Sequence, residues 1–463
     1  MKTVDLLLIN PPFHLRNGSS TIFPLGLGYI MSSVVEKGFT YDIIDCSRMI
    51  NTCWEDDLIR LKEQLLFRLK DYTPLLVGIG PCITTQLRAL KIIAECCKKV
   101  YGEERIYAGG PLASIDKQEW VFFDFLGLKY IIKGDGELAA VEMLHTLKGG
   151  GSLAGCKCVT TLDRTMFNEI EDINAMSFPQ RPYIFESIIS NRRKADGKRT
   201  APMITSRGCL YNCRYCVSGN MQYKHFRKRD VENILDEMVY LKETYGINDI
   251  IFYDDCFFAR PAKVHEDIED FCSALLNRKL NMTWQMEIRC DLLQQLNDED
   301  IQMLYQSGCR QMNLGIEKTT DQGLAYLGKH ITLDDLAEKI RKIKFISNMK
   351  VAGTFILGGK DETEENVLNI IKESQKMNLD FAHYNPLFIY PGTPIYEECF
   401  RNEKDWVAYI LRDNWPWGEI VCETMEINRN QLLSLVDIAY DEFYKESPYK
   451  ENSMVKDRFN LKR

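Results

Sequence analysis

The sequence predicts an α/β protein with two parallel-sheet domains in tandem, a doubly wound domain followed by an incomplete barrel of β/α units. Short β-branched runs alternate with amphipathic segments along most of the chain, which is typical of βαβ units. The alternation is interrupted by a stretch rich in Pro and Asn and then resumes for six strand-plus-helix units between about 200 and 387. Six units are too few for a closed eight-fold barrel.

Composition narrows the class of protein. The chain has 463 residues, of which 45% are hydrophobic and 27% charged, as expected for a globular protein of two or three domains. A net charge of -8 gives no basic footprint for a phosphate backbone, so no nucleic-acid partner is predicted. The apolar run at the start ends at Pro11, too short for a signal-peptide core, and no window is long enough for a bilayer. We therefore expect a cytoplasmic protein without a membrane partner, in which sixteen cysteines argue against a disulfide framework.

The first domain is predicted over residues 1–160. Its strands are "TVDLLLIN", "TYDIIDC", "PLLVGIG", "RIYAGG" and "LKYIIKGDGE", with helices near 25–38, 55–70 and 85–101 between them. This order predicts a Rossmann-like doubly wound sheet. "CKCVTTL" reads as a last short strand, and "FNEIEDINAMSFPQRPY" indicates a linker within 161–199.

Glycines in this domain fall just after the strands, in "INPPF", "VGIGPC", "YAGGPLAS" and "KGDGEL". These positions are the carboxyl ends of a parallel sheet, where ligands bind at the switch point and glycine permits close approach. The pattern indicates a nucleotide-like or macrocyclic ligand, although no loop contains G-x-G-x-x-G. The alternative is that these glycines serve tight turns only.

The second domain is predicted over 200–393. Strand candidates are "APMITSR", "NDIIFYDD", "MTWQMEIR", "QMNLGIE", "KVAGTFILGG" and "LDFAHYNPLFI". "DVENILDEMVYLKETYG" predicts a helix capped by Asp230, and "DETEENVLNIIKESQKM" one with acidic residues in its first turn. Residues 394–463 are predicted to form a mainly helical C-terminal extension, whose apolar stripe we expect to pack on the barrel or close its mouth.

Three cysteines stand in the first βα loop of this barrel, in "ITSRGCLYNCRYC". Cys209, Cys213 and Cys216 form a C-x3-C-x2-C array at the strand end where catalytic residues belong. Three thiolates can hold three irons of a 4Fe-4S cubane and leave one iron open for a ligand. Structural zinc is the alternative, but it needs a fourth ligand, and His225 lies nine residues past Cys216.

This array, with Tyr215 before its last cysteine at the head of a six-unit barrel, resembles the radical S-adenosylmethionine (SAM) enzymes. The domain order is similar to the subgroup with an N-terminal cobalamin-binding domain, which contains anaerobic oxidative cyclases and class B C-methyltransferases. Similar strings include "INPPF", "YAGGPLAS", "IKGDGE", "FYDD", "GCRQMNLGIE" and "YPGTPIYE". The resemblance implies a partial (β/α)6 radical SAM barrel, a 4Fe-4S cluster, SAM, cobalamin, a small-molecule substrate, and an electron donor such as flavodoxin or ferredoxin.

The activity that this resemblance implies is methylation of an unactivated carbon by a 5'-deoxyadenosyl radical and methylcobalamin. A radical SAM cyclase or rearranging oxidase without methyl transfer is the alternative. An iron-sulfur electron-transfer or metal-binding protein is a more remote one.

Site residues follow from the resemblance by position. It implies that Cys209, Cys213 and Cys216 ligate the cluster and that Tyr215, Asp255, Arg289 and Glu317 contact SAM, with Asp254 beside Asp255 as a further candidate. The implied cobalamin contacts are Gly26, Thr84, Gly109, Gly110, Gly134, Gly136 and Glu137. The alternatives are a buried aromatic for Tyr215, structural ion pairs for Arg289 and Glu317, and a helix N-cap for the two aspartates.

The histidines and one basic run carry weaker signals. Cobalamin proteins often have D-x-H-x2-G, whereas His14 is followed by Gly18 at H-x3-G and has no Asp two residues before it, so we do not expect an axial ligand there. His383, on the sixth strand, is the histidine that could face substrate. The run "NRRKADGKR" at 191–199 indicates a solvated loop, with a contact for phosphate or for an acidic partner protein as the alternative.

Overall fold

The computed structural model describes residues 1–12, 24–50, 55–183, 197–221, 225–329, 331–360, 362–400, 402, 404–412 and 427–449, with the backbone alone at 14–15 and 18–19. It divides into two compact units. The first holds Met1–Tyr183 and the described parts of 220–224 and 390–420. The second holds the described parts of 184–219, 225–389 and 421–463. In these described ranges no helix has the length and apolar character needed to span a bilayer.

The first unit is built on a six-stranded parallel sheet. Its strands are β1 (Lys2–Asn10), β2 (Tyr41–Asp45), β3 (Tyr72–Ile79), β4 (Ile106–Gly109), β5 (Tyr130–Gly134) and β6 (Phe167–Asn168). They lie in the order β2-β1-β3-β4-β5-β6. The direction of the order reverses between β1 and β3, which puts the switch point of the sheet at the carboxyl ends of these two strands.

Helices connect these strands and sandwich the sheet. They are α1 (Leu25–Glu36), α2 (Glu55–Leu69), α3 (Leu87–Tyr101), the short α4 (Pro111–Ser114) and α5 (Glu137–Lys148). Helix α1 packs beside α5, and α2 beside α3. Leu6 and Leu8 of β1 pack with Met31 and Val34 of α1 in one core cluster. The doubly wound arrangement predicted from the sequence is confirmed.

The end of this unit differs from the prediction. "CKCVTTL" forms only two isolated bridges, Thr160 with Ile131 and Thr161 with Arg164. The sixth strand is Phe167–Asn168, inside the stretch assigned to a linker. Residues up to 183 also belong to this unit. The amide of Gln180 donates to the carbonyl of Gly28 at 3.0 Å, and a Cβ on Gly28 would lie 2.5 Å from the Gln180 carbonyl oxygen. Close backbone packing on α1, which local composition does not report, therefore orders this stretch.

The second unit is an open barrel of six parallel strands in sequential order, as predicted. The strands are β7 (Thr200–Met203), β8 (Asp249–Phe252), β9 (Thr283–Ile288), β10 (Cys309–Glu317), β11 (Lys350–Leu357) and β12 (Phe381–Pro386). The helices are α6 (Val231–Tyr245), α7 (Val264–Arg278), α8 (Cys290–Gln295), α9 (Asp298–Gln306), α10 (Asp321–Leu327), α11 (Leu333–Ile346) and α12 (Glu364–Lys376). Asp230 and Thr363 occupy the N-cap positions of α6 and α12, and the first turn of α12 is acidic.

Alternation along the strands separates the two faces of this barrel. Trp284, Met286 and Ile288 of β9 join the core cluster under the surrounding helices. Because successive side chains point to opposite faces, Gln285 and Glu287 point to the concave side. The concave side therefore carries polar groups, while the apolar core lies outside the sheet.

The predicted C-terminal extension is divided between the units. Helices α13 (Pro394–Cys399) and α14 (Asp405–Arg412) lie in the first unit, and α15 (Arg429–Tyr444) in the second. The Tyr444 hydroxyl accepts from the amide of Ala382 at 2.9 Å and donates to the carbonyl of Ala382 at 3.1 Å. The Tyr440 hydroxyl accepts from the amide of Tyr384 at 3.0 Å. Helix α15 thus covers the outer edge of β12, which an open barrel would otherwise leave unpaired.

Candidate functional site

The cysteine loop, residues 208–216, leaves the barrel just after β7. A short antiparallel pair, Ser206–Arg207 with Arg227–Lys228, leads into it. Gly208 has φ +86°, and a Cβ there would approach the His225 carbonyl oxygen to 3.3 Å, so the turn favours glycine. Cys213 is buried, and Cys209 and Cys216 are half-buried. The Arg214 guanidinium donates to the Tyr326 carbonyl at 2.9 Å, which ties the loop to α10.

Asp254 fixes the entrance to this loop from the end of β8. Its carboxylate is buried and accepts from the amide of Thr205 at 2.8 Å, the Thr205 hydroxyl at 2.9 Å and the Ser206 hydroxyl at 2.5 Å. Burial raises the pKa of Asp254 to about 6, against the lowering effect of these bonds. The next long helix begins only at Val264, so Asp254 is an anchor for the loop and not a helix N-cap.

The three thiols lie close enough to sense one another's charge. Burial raises the pKa of Cys209 to about 11, and Asp255, Cys216 and Cys213 raise it further by charge repulsion. Burial likewise raises the pKa of Cys216. The exposed Asp255 accepts from the Ser218 hydroxyl at 2.7 Å and flanks both cysteines.

The donor set on this loop consists of three thiols. In the described part of the chain, no group of three His, Cys, Asp or Glu side chains surrounds one metal-ion position. In a 4Fe-4S cluster each thiolate binds a different iron, so three grouped thiols on one loop suit that cluster. Since the ligands of such a cluster are thiolates, loading it on these thiols would release protons.

Arg289 follows β9 and reaches the cysteine loop. Its Nη1 donates to Cys213 Sγ at 3.3 Å, and its Nε and Nη2 donate to the two carboxylate oxygens of Asp291 at 2.9 and 3.0 Å. The guanidinium lies 3.6 Å from the ring centroid of Tyr211. Arg289 makes the ion pair of the alternative reading and also contacts the candidate cluster site, while its contact with SAM stays a prediction.

Tyr215, Glu317 and Lys329 form a buried polar group on the concave side. The Tyr215 hydroxyl donates to Glu317 Oε1 at 2.9 Å. Lys329 Nζ lies 3.4 Å from the same oxygen and donates to the Gly315 carbonyl at 2.7 Å. Burial alone would lower the pKa of Lys329, but the Glu317 carboxylate outweighs it and the pKa is raised. This buried cation therefore balances the buried carboxylate.

The backbone around Glu317 is shaped for this group. The register between β10 and β11 shifts between Gly315 and Glu317, and Glu317 has φ +73°. A non-glycine residue in that region is strained by about 1–3 kcal/mol and persists only where its surroundings hold it. A Cβ on Gly315 would lie 2.5 Å from Glu317 Oε1 and 3.1 Å from Lys329 Nζ. Gly315 thus leaves space for the ion pair.

Glu287 adds a second carboxylate to this concave face. Although its side chain is accessible to solvent, desolvation in the concave barrel raises its pKa to about 7, and the charge of Glu317 adds to the rise. Its neighbour across the sheet is Asn313, which accepts from Gln311 Nε2 at 2.8 Å. The barrel therefore offers a carboxyl group that changes protonation near neutral pH.

In the first unit, most of the residues predicted to contact cobalamin are closely packed against other parts of that unit. A Cβ on Gly110 would lie 2.5 Å from the Cys82 amide nitrogen, one on Gly134 2.0 Å from the Asn168 carbonyl oxygen, and one on Gly136 3.0 Å from Ile30 Cδ1. Gly109 lies under Ile132, whose carbonyl oxygen would be 3.3 Å from a Cβ. Thr84 and Glu137 are buried.

Gly26, in the first turn of α1, differs, because no described atom beyond its chain neighbours and its own helix backbone lies within 4 Å of its Cβ position. Its contact with cobalamin stays a prediction. The side chain of His14 and residues 191–196 of the basic run lie outside the described residues.

Sequence reasoning missed Lys329, Asp291 and Glu287. Asp291 carried a signal, since it stands two residues after Arg289 at the start of a helix. Lys329 lies after α10 and reaches Glu317 only through the fold. No local pattern marks it.

The fold and the loop together define a two-unit α/β protein whose partial barrel carries three thiols at the mouth. Residues 203–373 match the Radical SAM superfamily. This part of the chain is a radical SAM domain, and the recognition made from the cysteine array is confirmed.

Two curated relatives and one solved structure extend the likeness to nearly the whole chain. An uncharacterized methyltransferase of Pyrococcus horikoshii is 25% identical over 99% of this chain and 95% of its own length. An anaerobic magnesium-protoporphyrin IX monomethyl ester cyclase of Rubrivivax gelatinosus is 21% identical over 98% of this chain and 80% of its own. The radical SAM methyltransferase TsrM from Kitasatospora setae, solved with cobalamin and a 4Fe-4S cluster bound, superposes with a TM-score of 0.64 at 17% identity, over 86% of this chain and 78% of that one. The same enzyme has been solved with tryptophan as its substrate.

Proposed function

We propose that this protein is a cobalamin-dependent radical SAM methyltransferase that methylates an unactivated carbon of a small-molecule substrate. The observation that carries the proposal is the grouping of Cys209, Cys213 and Cys216 on one βα loop at the barrel mouth, beside the buried Tyr215–Glu317 pair. When bound, the cluster and SAM supply radical chemistry and cobalamin supplies the methyl group. A cytoplasmic location and an electron donor such as flavodoxin or ferredoxin complete the proposal.

The residues have distinct tasks in this proposal. The three thiolates hold the cluster and leave one iron open for SAM. Tyr215, Asp255 and Glu317 face SAM, and Lys329 pairs with Glu317 in a buried site. Asp254 holds the loop to the end of β8. The concave barrel keeps water away from the reacting atoms.

Cobalamin is assigned to the switch point of the first unit. Gly26 stands at the start of α1, which follows β1. The other predicted contacts lie near the carboxyl ends of the strands, and they are Thr84, Gly109, Gly110, Gly134, Gly136 and Glu137. Several of these glycines are required by close packing within the unit. We therefore expect their loops to contact cobalamin through backbone atoms.

A second candidate function is an oxidative cyclase of the same architecture, which the similarity to the Rubrivivax gelatinosus cyclase favours. The two functions differ in their products. Methylation yields S-adenosylhomocysteine together with 5'-deoxyadenosine, whereas cyclisation without methyl transfer yields 5'-deoxyadenosine alone.

Anaerobic reconstitution with iron, sulfide and hydroxocobalamin, followed by desalting, tests the proposal. We expect about four irons and about one corrin per chain. Replacing Cys209, Cys213 and Cys216 with alanine should abolish iron retention, while Cys272→Ala, a buried cysteine on α7, should not. Iron without corrin would contradict the methyltransferase assignment, and a protein without iron would contradict the radical chemistry as well.

A further inference from the structure

We propose that Arg289 sets the reduction potential of the cluster through its hydrogen bond to Cys213, and that Asp291 and Tyr211 position it for this role. The inference rests on the proposed function in one respect, the presence of a 4Fe-4S cluster on Cys213. It assigns Arg289 to the protein's own sulfur ligand, whereas the resemblance implied a contact with SAM.

The guanidinium of Arg289 is held on three sides. Its Nε and Nη2 form a bidentate pair with Asp291, its face lies on the Tyr211 ring at 3.6 Å, and its Nη1 donates to Cys213 Sγ at 3.3 Å. Only 14% of the Arg289 side chain is exposed. A planar donor fixed by a bidentate pair and a stacked ring has little freedom to turn elsewhere.

This geometry affects an electron-transfer equilibrium directly. Reduction adds a negative charge to the cluster, and a cation bonded to one of its sulfurs stabilises the reduced form more than the oxidised form. The low exposure of Arg289 strengthens the effect, because a partly buried charge is screened less than one at the surface. Asp291 opposes part of it, since its carboxylate carries the opposite charge next to the guanidinium.

Two substitutions should therefore shift the potential in opposite directions. Arg289→Gln removes the cation, so the cluster becomes harder to reduce and its potential falls. Asp291→Asn removes the opposing anion while leaving Arg289 on Tyr211, so the potential rises. Arg289→Lys keeps a positive charge but loses the planar guanidinium. Its reduction potential should therefore lie between those of the wild type and Arg289→Gln. If Arg289 had only a structural role, the two substitutions would not shift the reduction potential in opposite directions.

Arg310 offers a matched control. It is also stacked on a tyrosine, 4.5 Å from the ring of Tyr305, and it donates to the Tyr305 and Cys309 carbonyls at 2.7 and 2.8 Å. It stands at the beginning of β10, at the opposite end of the strands from the cysteine loop. Arg310→Gln removes the same charge without touching that loop.

The test is an EPR-monitored redox titration of reconstituted full-length protein without SAM, with iron per chain matched among variants. We expect Arg289→Gln to lower the equilibrium constant for one-electron reduction at least tenfold, about 59 mV, relative to Arg310→Gln. Asp291→Asn should raise this equilibrium constant. SAM affinity is measured in parallel by equilibrium binding.

Shifts of Arg289→Gln and Asp291→Asn no larger than that of Arg310→Gln would overturn the proposal, as would a loss of SAM affinity with unchanged potentials. If Arg289→Gln retains no cluster, the test rests on Asp291→Asn alone. A rise in its reduction potential supports the proposed role of Arg289, and an unchanged potential rejects it. A wild-type protein that retains no iron would contradict the proposed function itself. A loaded wild type with unshifted variants contradicts only the role of Arg289.

Discussion

The tyrosine pair of α15 gives a prediction that needs no substrate or cofactor. Tyr444→Phe removes the hydroxyl that bonds both the amide and the carbonyl of Ala382, and Tyr440→Phe removes the acceptor for the amide of Tyr384. Both strand residues are fully buried, so the freed amides find no water. An unsatisfied buried group costs about 1–3 kcal/mol.

Each substitution should therefore lower the free energy of opening at β12 by about 1–3 kcal/mol, which speeds amide exchange there by about fivefold to about a hundredfold. The two changes should not add fully, because the rings of Tyr440 and Tyr444 stack with their centroids 6.2 Å apart. Hydrogen-deuterium exchange of peptides that cover residues 381–386 measures the effect.

Tyr240→Phe is the control, since Tyr240 is exposed on α6 and its hydroxyl meets that of Tyr245 at 3.2 Å. It should leave exchange at β12 unchanged. If Tyr444→Phe also leaves it unchanged, then α15 does not protect the edge of the barrel and this reasoning is refuted. His383 lies between Ala382 and Tyr384, so more frequent opening of β12 would also increase the mobility of its side chain.

Three further predictions concern the concave face. Gly315→Ala should displace the buried carboxylate of Glu317 and lower the free energy of unfolding by about 1–3 kcal/mol in urea titrations, whereas Gly155→Ala, with open space at its Cβ, should not. The pKa of Glu287 is raised from 4.5 to about 7, so the folded protein keeps this proton longer than the unfolded chain, and its contribution to stability should fall as pH rises from about 4.5 to about 7. Glu287→Gln should remove that slope from unfolding curves, and an unchanged slope would assign it to other groups. Asp254→Asn turns an acceptor into a donor beside an amide, and we expect less iron retained after desalting; full retention would contradict its role as the loop anchor.

Much of the fold could be predicted from the sequence because the signals are local and repeated. The six barrel strands, their order and the helices between them follow from periodicity, and the doubly wound first unit follows from the same alternation. The last strand of that unit could not be predicted in this way. Phe167–Asn168 pairs with β5 through backbone contacts that the Pro- and Asn-rich composition does not indicate.

The architecture and the position of the three cysteines are readable from the sequence alone, because a spacing of three and two residues on one loop needs no distant partner. Which side chains surround that loop depends on how the chain folds. Arg289 and Asp291 follow the end of β9, Lys329 follows α10 and Glu317 ends a bulged strand, and no local pattern brings them to the loop. The physical reason is that burial and charge pairing arise between elements, so the partners of a buried group become visible only once the chain is folded.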